Sequence, residues 1–308
     1  MNKTAFLFPG QGSQYVGMGR ELAETYPLVR RYFQQADEAL GFPLSELCWQ
    51  GPAEQLTLTE NAQPAILTLS CAVAALVEKQ AGLSPTAAAG LSLGEYSALV
   101  HAGMLEFKTA VALVSRRGRY MQQAVPAGRG TMAAIMGLDA EKVEDLCSQT
   151  AGCVEVANYN SPGQLVVSGE KQAVETLVNH AKDAGARRAM LLDVSAPFHC
   201  SLLEPAARQL TEDLENISFS SPRFTVMSNV DAQPVTKSNV REKLARQVAN
   251  PVRWQQCMEE LDGMKVNFAI EAGPGKTLSA MARKTAPGIT VQNVESPADL
   301  TKLKEGLR

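Results

Sequence analysis

Histidine is scarce in this chain of 308 residues, which contains three histidines, His101, His180 and His199, far apart in sequence. No HExxH motif and no cluster of cysteines and histidines occurs, so the common zinc-binding patterns are excluded. The six cysteines form no CxxC pair, and their low density is typical of reduced thiols in a cytoplasmic protein. We therefore expect no metal and no redox cofactor.

Charge of one sign and long apolar runs are also scarce. A net charge of −3 disfavours a nucleic-acid-binding protein. The longest run without charge, residues 61–77, is interrupted by Gln63-Pro64 and is too short and too mixed to span a bilayer. The N-terminus shows no secretory signal pattern. With 45% hydrophobic residues the chain should fold, and we expect a cytoplasmic monomer without nucleic-acid or membrane partners.

Apolar strand patterns alternate with helical patterns over most of the chain, which predicts an α/β protein with a mostly parallel sheet. The predicted strands of this part are 4–8, 86–90, 224–228, 266–271 and 289–293. The predicted helices are 27–40, 63–80, a helix from 93, 107–124, 201–215, 238–249, 253–263, 276–284 and a terminal helix.

The middle of the chain follows a different order, which begins after Pro126-Ala127-Gly128-Arg129-Gly130. Strands at 131–137, 153–157, 164–168 and 188–194, with helices at 139–149 and 171–184, give the βαββαβ order of a ferredoxin-like unit. Pro197 marks the return to the first pattern. The sequence therefore predicts a large α/β domain of residues 1–126 and 197–308, with a small ferredoxin-like domain of residues 127–196 inserted.

Gly90-Leu91-Ser92-Leu93-Gly94 fits the G-x-S-x-G nucleophile elbow. This chemistry needs a serine on a sharp turn between a strand and a helix, and the flanking glycines relieve the crowding there. Chance can produce so short a pattern, but the predicted strand before it and the helix after it favour the elbow. Ser92 is thus the candidate nucleophile.

A serine nucleophile needs a base. His101 lies nine residues along the same predicted helix, about 13 Å away, and His180 is expected on the surface of a helix. His199 is left, although it could also be a satisfied histidine beside an apolar loop. The group that orients it stays open, because a nearby carboxylate or a backbone carbonyl can serve.

Two further motifs remain open on pattern alone. Pro9-Gly10-Gln11-Gly12-Ser13-Gln14 lacks the ending of a phosphate-binding loop, so it is either a plain turn or a source of backbone N–H groups for an oxyanion. Arg116-Arg117-Gly118-Arg119 interrupts a predicted helix and is either a solvated face or a site for a carboxylate.

Taken together, seven motifs resemble the malonyl-CoA:acyl carrier protein transacylase family, in that family's order and over nearly the whole chain. They are Phe8–Gln14, Gly90–Ala98, Arg117-Gly118, Asn160–Gln164, Phe198-His199, Asn250–Trp254 and Glu271–Gly275.

The resemblance implies an α/β-hydrolase-like large domain with a ferredoxin-like insert. It implies Ser92 as the nucleophile and His199 as the base and later the acid. It also implies that the backbone N–H groups of Gln11 and Leu93 form the oxyanion hole, and that the backbone carbonyl of Gln247 orients the histidine.

For the substrate, the resemblance implies that Arg117 binds the malonyl carboxylate and that Gln63 and Asn160 line the pocket. Phe198, before the base, resembles malonyl-selecting acyltransferases. The chain departs from many relatives at Leu91, where they have histidine, a difference that removes no reacting group.

The function implied is transfer of a malonyl group from malonyl-CoA to the phosphopantetheine thiol of holo acyl carrier protein, through a malonyl-serine intermediate. Coenzyme A and phosphopantetheine are then parts of substrates, and no cofactor is implied. The alternatives are an acyltransferase that supplies a polyketide synthase carrier, a serine thioesterase or hydrolase, and a non-catalytic binding module. The basic cluster Lys182, Arg187 and Arg188 is the candidate docking site for the acidic carrier.

Overall fold

The computed structural model describes residues 3–126, 128–194 and 196–307, a mixed α/β protein with two sheets. The predicted domain boundary at Ala127 and residue Ser195 of the return segment lie outside the described residues. The described strands are β1 (Thr4–Phe8), β2 (Ala87–Gly90), β3 (Gly130–Met136), β4 (Val154–Ser161), β5 (Gln164–Glu170), β6 (Arg188–Leu191), β7 (Thr225–Val226), β8 (Phe268–Ala272) and β9 (Thr290–Val294).

The described helices cover the sheets and link their strands. They are α1 (Arg20–Thr25), α2 (Pro27–Leu40), α3 (Leu44–Gln50), α4 (Ala53–Thr57), α5 (Thr59–Ala81), α6 (Leu93–His101), α7 (Phe107–Gln123), α8 (Ala140–Gln149), α9 (Lys171–Asp183), α10 (Glu204–Glu215), α11 (Val240–Gln247), α12 (Trp254–Gly263), α13 (Thr277–Thr285) and α14 (Pro297–Gly306). A 3₁₀ turn, Ser201–Leu203, precedes α10.

The larger sheet has the order β7-β2-β1-β8-β9, and all of its neighbouring strands are parallel. Every residue of β1 and β2 is buried, as expected for strands covered on both faces. Phe8 pairs with Gly90 at the carboxyl ends of these two strands. The segments after β1 and β2 therefore leave the sheet side by side at one edge.

The smaller sheet is antiparallel, with the order β4-β5-β3-β6. Its strands, with α8 and α9, follow the predicted βαββαβ order over residues 130–191. Two hydrogen bonds tie β4 to the segment after α11: Val252 N donates to Ala157 O at 2.8 Å, and Tyr159 N donates to Val252 O at 2.9 Å. The small sheet is thus fixed beside the segment that leaves α11.

Helix α5 begins at Thr59 rather than at the predicted residue 63, and Pro64 lies inside it. Within the described residues it is the one helix long and apolar enough to cross a membrane, but 83% of its apolar window is buried inside the protein. It packs in the main hydrophobic cluster, through residues such as Ile66, Leu69 and Val73. Helix α5 is a core helix.

Three short helices, α1, α3 and α4, were not predicted from the sequence. Each has five to seven residues, too few for a helical repeat of apolar positions to be visible. Strand β6 ends at Leu191, three residues before the predicted end, and β7 has only two residues. The arginine run 116–119 lies inside the continuous helix α7, so the prediction that it interrupts a helix is wrong.

Candidate active site

Ser92 lies on the turn between β2 and α6, with backbone angles φ 51° and ψ −102°. A positive φ is uncommon for a residue with a side chain and marks a strained backbone. The flanking glycines are required by space: a Cβ on Gly90 would lie 1.9 Å from the carbonyl carbon of Gly94, and one on Gly94 would lie 2.0 Å from Phe8 O. This is the geometry of a nucleophile elbow.

His199 is in hydrogen-bond contact with Ser92: its Nε2 lies 2.7 Å from the serine Oγ. Its other nitrogen, Nδ1, lies 2.8 Å from the backbone carbonyl oxygen of Gln247. Because a carbonyl can only accept, Nδ1 carries the proton, and Nε2 is free to accept the proton of the serine hydroxyl. Burial and the nearby charge of Arg117 lower the pKa of His199 to about 4, which keeps the imidazole neutral at pH 7.

The other two histidines lie elsewhere. His101 is buried against Phe6, with ring centroids 5.0 Å apart, and burial lowers its pKa to about 3. His180 is exposed on α9. His199 is therefore the histidine that the described fold brings to Ser92.

Arg117 is almost completely buried, at 1% exposure, and its guanidinium points at the nucleophile. Its Nη2 donates to Ser92 Oγ at 3.2 Å and to Gln247 Oε1 at 2.9 Å, and its Nη1 donates to Gln63 Oε1 at 2.8 Å. Its Nε–H has no acceptor among the described residues. A buried cation in contact with a nucleophile is suited to an anionic group on the substrate.

A close approach of two helices places this arginine. A Cβ on Gly118 would lie 2.5 Å from Thr59 O, so α7 can lie this near α5 only with glycine at that position. The approach brings Arg117 on α7 beside Gln63 on α5. The flanking Arg116 and Arg119 instead pair at the surface with Asp213 and Glu60. Of the two interpretations of the run, the solvated face therefore applies to Arg116 and Arg119, and the buried site applies to Arg117.

The loop after β1 packs directly against the elbow. Leu91 N donates to Phe8 O at 3.0 Å, and a Cβ on Gly10 would lie 2.6 Å from Leu91 O. Gln11 follows in this loop, while Leu93 is the first residue of α6, where a helix leaves N–H groups without internal partners. The backbones of both predicted oxyanion donors therefore border the turn that carries Ser92.

Asn160 lies on the small sheet and Phe198 lies on the return segment, and both are buried. Asn160, at the end of β4, is 7% exposed, and its Oδ1 has no hydrogen-bond partner among the described residues. Phe198, next to the base, is 8% exposed and belongs to the main hydrophobic cluster. One offers an unused polar atom and the other an apolar wall.

The basic cluster lies on the surface. Lys182, at the end of α9, and Arg187 and Arg188, at the start of β6, are all exposed. Met190, two residues further along β6, is 38% exposed. The described hydrogen bonds around Ser92 do not include these side chains.

Two buried residues that the sequence analysis missed, Asn229 and Glu95, form hydrogen bonds that hold the elbow. Asn229 accepts from Ser92 N at 2.7 Å through Oδ1 and donates to Gly90 O at 2.8 Å through Nδ2. Glu95 accepts from Asn229 N at 3.0 Å. The sequence could have pointed to Glu95, because it is the one charged residue among residues 86–105. No sequence pattern marks Asn229, a single asparagine far along the chain.

With this geometry established, comparison with known proteins identifies the family. The sequence model of one protein family, the acyl transferase domain, matches residues 5–306. The chain belongs to the acyl transferase domain family. Its sequence resemblance to malonyl-CoA:acyl carrier protein transacylases is thereby confirmed as well, because its curated relatives bear that name.

Two relatives show how far the similarity of this acyl transferase extends. The malonyl CoA-acyl carrier protein transacylase of Bacillus subtilis (strain 168) is 48% identical over 301 residues, covering 96% of this chain and 95% of that protein. The protein of the same name from Escherichia coli (strain K12) is 44% identical over 308 residues, covering 99% of this chain and 100% of that protein.

Solved structures give the same result for the acyl transferase fold. The malonyl CoA-acyl carrier protein transacylase from Coxiella burnetii has a TM-score of 0.97 and 39% identity, covering 99% of this chain and 98% of that one. A malonyl-transacylase in complex with its type II polyketide synthase acyl-carrier protein has a TM-score of 0.96 and 42% identity, covering 99% of both chains.

Proposed function

We propose that this acyltransferase moves a malonyl group from malonyl-CoA to the phosphopantetheine thiol of holo acyl carrier protein in fatty acid synthesis. The observation that carries the proposal is the buried Arg117 guanidinium, 3.2 Å from the Ser92 hydroxyl. A malonyl group attached to that hydroxyl is short enough to keep its free carboxylate beside the guanidinium. The relatives' names and the solved complex with a carrier protein support the same substrates.

In the first half-reaction, His199 Nε2 takes the Ser92 proton while Oγ forms a bond to the thioester carbonyl carbon. The carbonyl oxygen becomes an oxyanion, for which the N–H groups of Gln11 and Leu93 are the proposed donors. The intermediate then collapses: the C–S bond breaks, and coenzyme A leaves as a thiol with the proton from His199. Malonyl-serine remains.

The second half-reaction reverses these roles with a different thiol. His199 takes the proton of the phosphopantetheine thiol, and the sulfur attacks the ester carbonyl. The bond to Ser92 Oγ breaks, and the serine recovers its proton from His199. The Gln247 carbonyl holds the imidazole in the required tautomer throughout. Every atom transferred comes from the two substrates, so the steps need no cofactor.

Substrate selection is proposed to lie in the groups around Arg117. Gln63 holds one side of the guanidinium, and Asn160 offers its unused Oδ1 to the substrate. Phe198, buried next to the base in sequence, is the proposed apolar wall that disfavours a branched acyl group. These assignments complete a site for a small acyl group that ends in a carboxylate.

We assign residues 1–126 and 197–308 to a large domain resembling α/β-hydrolases, and residues 127–196 to a ferredoxin-like small domain. The strand orders of the two sheets support this division. Lys182, Arg187 and Arg188 are the proposed contact for the acidic carrier protein, since they form an exposed positive surface on the small domain. We place the enzyme in the cytoplasm as a monomer, with its substrates.

The decisive experiment is intact mass spectrometry after incubation with malonyl-CoA. A malonyl adduct that survives in water and is discharged by holo acyl carrier protein supports the transferase. Rapid discharge by water would make the protein a hydrolase, and the absence of any adduct would leave only a binding module. Ser92→Ala is the control and should carry no adduct.

A further inference from the structure

Beneath the nucleophile lies a buried carboxylate that the proposed mechanism does not use. Glu95 is fully buried on α6, three residues after Ser92. Its Oε2 accepts from Gln247 Nε2 at 2.6 Å and from Asn229 N at 3.0 Å, and its Oε1 has no partner among the described residues. A carboxylate kept in so dry a place needs an explanation, because burying one is costly unless it is well paired.

Gln247, the direct partner of this carboxylate, touches three parts of the site. Its backbone oxygen lies 2.8 Å from His199 Nδ1, its Nε2 donates to Ser92 O at 3.0 Å, and its Oε1 accepts from Arg117 Nη2 at 2.9 Å. One residue therefore links the base through its backbone, and the elbow and the cation through its side chain.

An amide side chain can point either way unless its partners decide. If the Gln247 amide turned over, its oxygen would face the Glu95 carboxylate and its NH₂ group would face the Arg117 guanidinium. With Glu95 ionised, both contacts are repulsive, an acceptor against an acceptor and a donor against a donor. Ser92 O also accepts from Nε2, but Glu95 makes the shorter contact, at 2.6 Å against 3.0 Å, and so contributes most to the orientation that gives Arg117 its acceptor.

We propose that Glu95 is a positioning residue for malonyl selection: by fixing the Gln247 amide, it holds the Arg117 guanidinium where the substrate carboxylate must sit. The inference rests on the proposed malonyl transfer. It predicts that loss of Glu95 harms malonyl transfer more than transfer of an uncharged acyl group, because Arg117 serves the carboxylate and Ser92 and His199 serve both.

The test compares acylation of Ser92 by malonyl-CoA and by acetyl-CoA in Glu95→Ala and Glu95→Gln. In Glu95→Ala we expect the malonyl rate to fall about 100-fold and the malonyl-to-acetyl ratio about tenfold, the scale of one lost charge-assisted contact. Glu95→Gln keeps one acceptor oxygen for Gln247 Nε2 and Asn229 N, so it should retain the ratio. If the alanine variant does not fold, Glu95→Asp replaces it, since its shorter carboxylate cannot reach both donors.

Glu271 provides a matched control. It is also a fully buried carboxylate, and it accepts from Leu278 N at 2.9 Å and Ser279 N at 2.8 Å, in contacts separate from those of the Arg117 guanidinium. Glu271→Ala, the same substitution as Glu95→Ala, should lower the melting temperature and leave the malonyl-to-acetyl ratio unchanged.

A double-variant cycle gives a second readout. Adding Glu95→Ala to Gln247→Ala should change the ratio little further, because the two residues act through one contact. Equal losses with both thioesters in Glu95→Ala, or full additivity with Gln247→Ala, would overturn the positioning role while the wild type still forms its malonyl adduct. A wild type without that adduct would overturn the proposed function itself.

Discussion

Arg117 donates a hydrogen bond to the hydroxyl of Ser92, so a fully buried cation touches the nucleophile directly. The same hydroxyl lies 2.7 Å from His199 Nε2. The serine oxygen can therefore accept from the guanidinium while it gives its proton to the imidazole. This contact lowers the free energy of the alkoxide that attacks, and it places the cation where a substrate carboxylate would follow.

The nucleophile and the base give the first prediction. Ser92→Ala should abolish both the adduct and transfer, since Ser92 is the nucleophile that contacts His199 Nε2 among the described residues. His199→Ala should reduce the rate of acylation roughly 10³-fold or more, because the hydroxyl loses its proton acceptor. Stopped-flow or quenched measurements of adduct formation provide the rates. Near-normal turnover in either variant would contradict the assignment.

Removing the cation should change the selectivity. In Arg117→Ala, malonyl acylation should lose roughly 2–4 kcal/mol of transition-state stabilisation, while acetyl-CoA should gain relative activity because no unpaired charge faces its methyl group. Competition between the two thioesters, followed by intact mass, measures the ratio. Arg116→Ala is the matched control on the same helix, since that arginine pairs with Asp213 at the surface. Equal losses for both thioesters would make Arg117 structural.

Asn229 is predicted to hold the elbow. Asn229→Ala removes the acceptor of Ser92 N and the donor to Gly90 O, which leaves two buried backbone groups unpaired. We expect a loss of about 2–4 kcal/mol in the free energy of unfolding and slower acylation with both thioesters. Chemical denaturation and the same acylation assay measure these effects. An unchanged unfolding curve would show that the turn is stable without this side chain.

The pH dependence of acylation follows from the pKa of His199. Because that pKa is lowered to about 4, the imidazole stays unprotonated and able to accept a proton well below pH 6.5. The value of kcat/KM for acylation should therefore stay nearly flat from pH 8 down to about pH 5.5. An acid limb with a midpoint near 6.5 would show that the buried environment does not shift this group.

Glu95 should make the free energy of unfolding depend on pH. Burial raises the pKa of the Glu95 carboxyl from its ordinary value of 4.5 to about 7, although hydrogen bonds from Asn229 and Gln247 and the charges of Lys243 and Arg117 oppose the shift. The folded state then binds more protons at Glu95 than the unfolded state does between pH 4.5 and 7. The contribution of Glu95 to the free energy of unfolding therefore decreases as pH rises through this range. Glu95→Gln removes that loss, so its free energy of unfolding should rise more steeply with pH than that of the wild type. Parallel curves would contradict the raised pKa.

The carrier surface gives the last prediction. Arg187→Glu with Arg188→Glu should raise KM for holo acyl carrier protein, most strongly at low salt, where steering by charge is least screened. Acylation by malonyl-CoA should survive. Lys302→Glu with Lys304→Glu, an equal change of charge on exposed positions of α14, should leave both half-reactions unchanged. An unaffected carrier KM at low ionic strength would place the docking site elsewhere, for example near Arg116 and Arg119.

Local pattern predicted much of the fold. The bounds of β1 and α2 match the structure, because a short apolar run ended by Pro9-Gly10 and a helical repeat ended by glycine are both decided within a few residues. Helices α1, α3 and α4 were missed, because they are stabilised by packing on longer helices rather than by their own repeat.

The same division applies to the site. Ser92 could be predicted from the sequence alone, because flanking glycines mark a turn that a strained serine can occupy. His199 could be predicted because the chain has few histidines. The tertiary structure decided which arginine of residues 116–119 is buried, since Gly118 lets α7 approach α5 and turns Arg117 toward Gln63. It also decided that Asn229 and Glu95 lie beneath the elbow, although 134 residues separate them. Those contacts depend on how α6 and the segment after β7 pack, and chain-local patterns carry no information on such distant pairings.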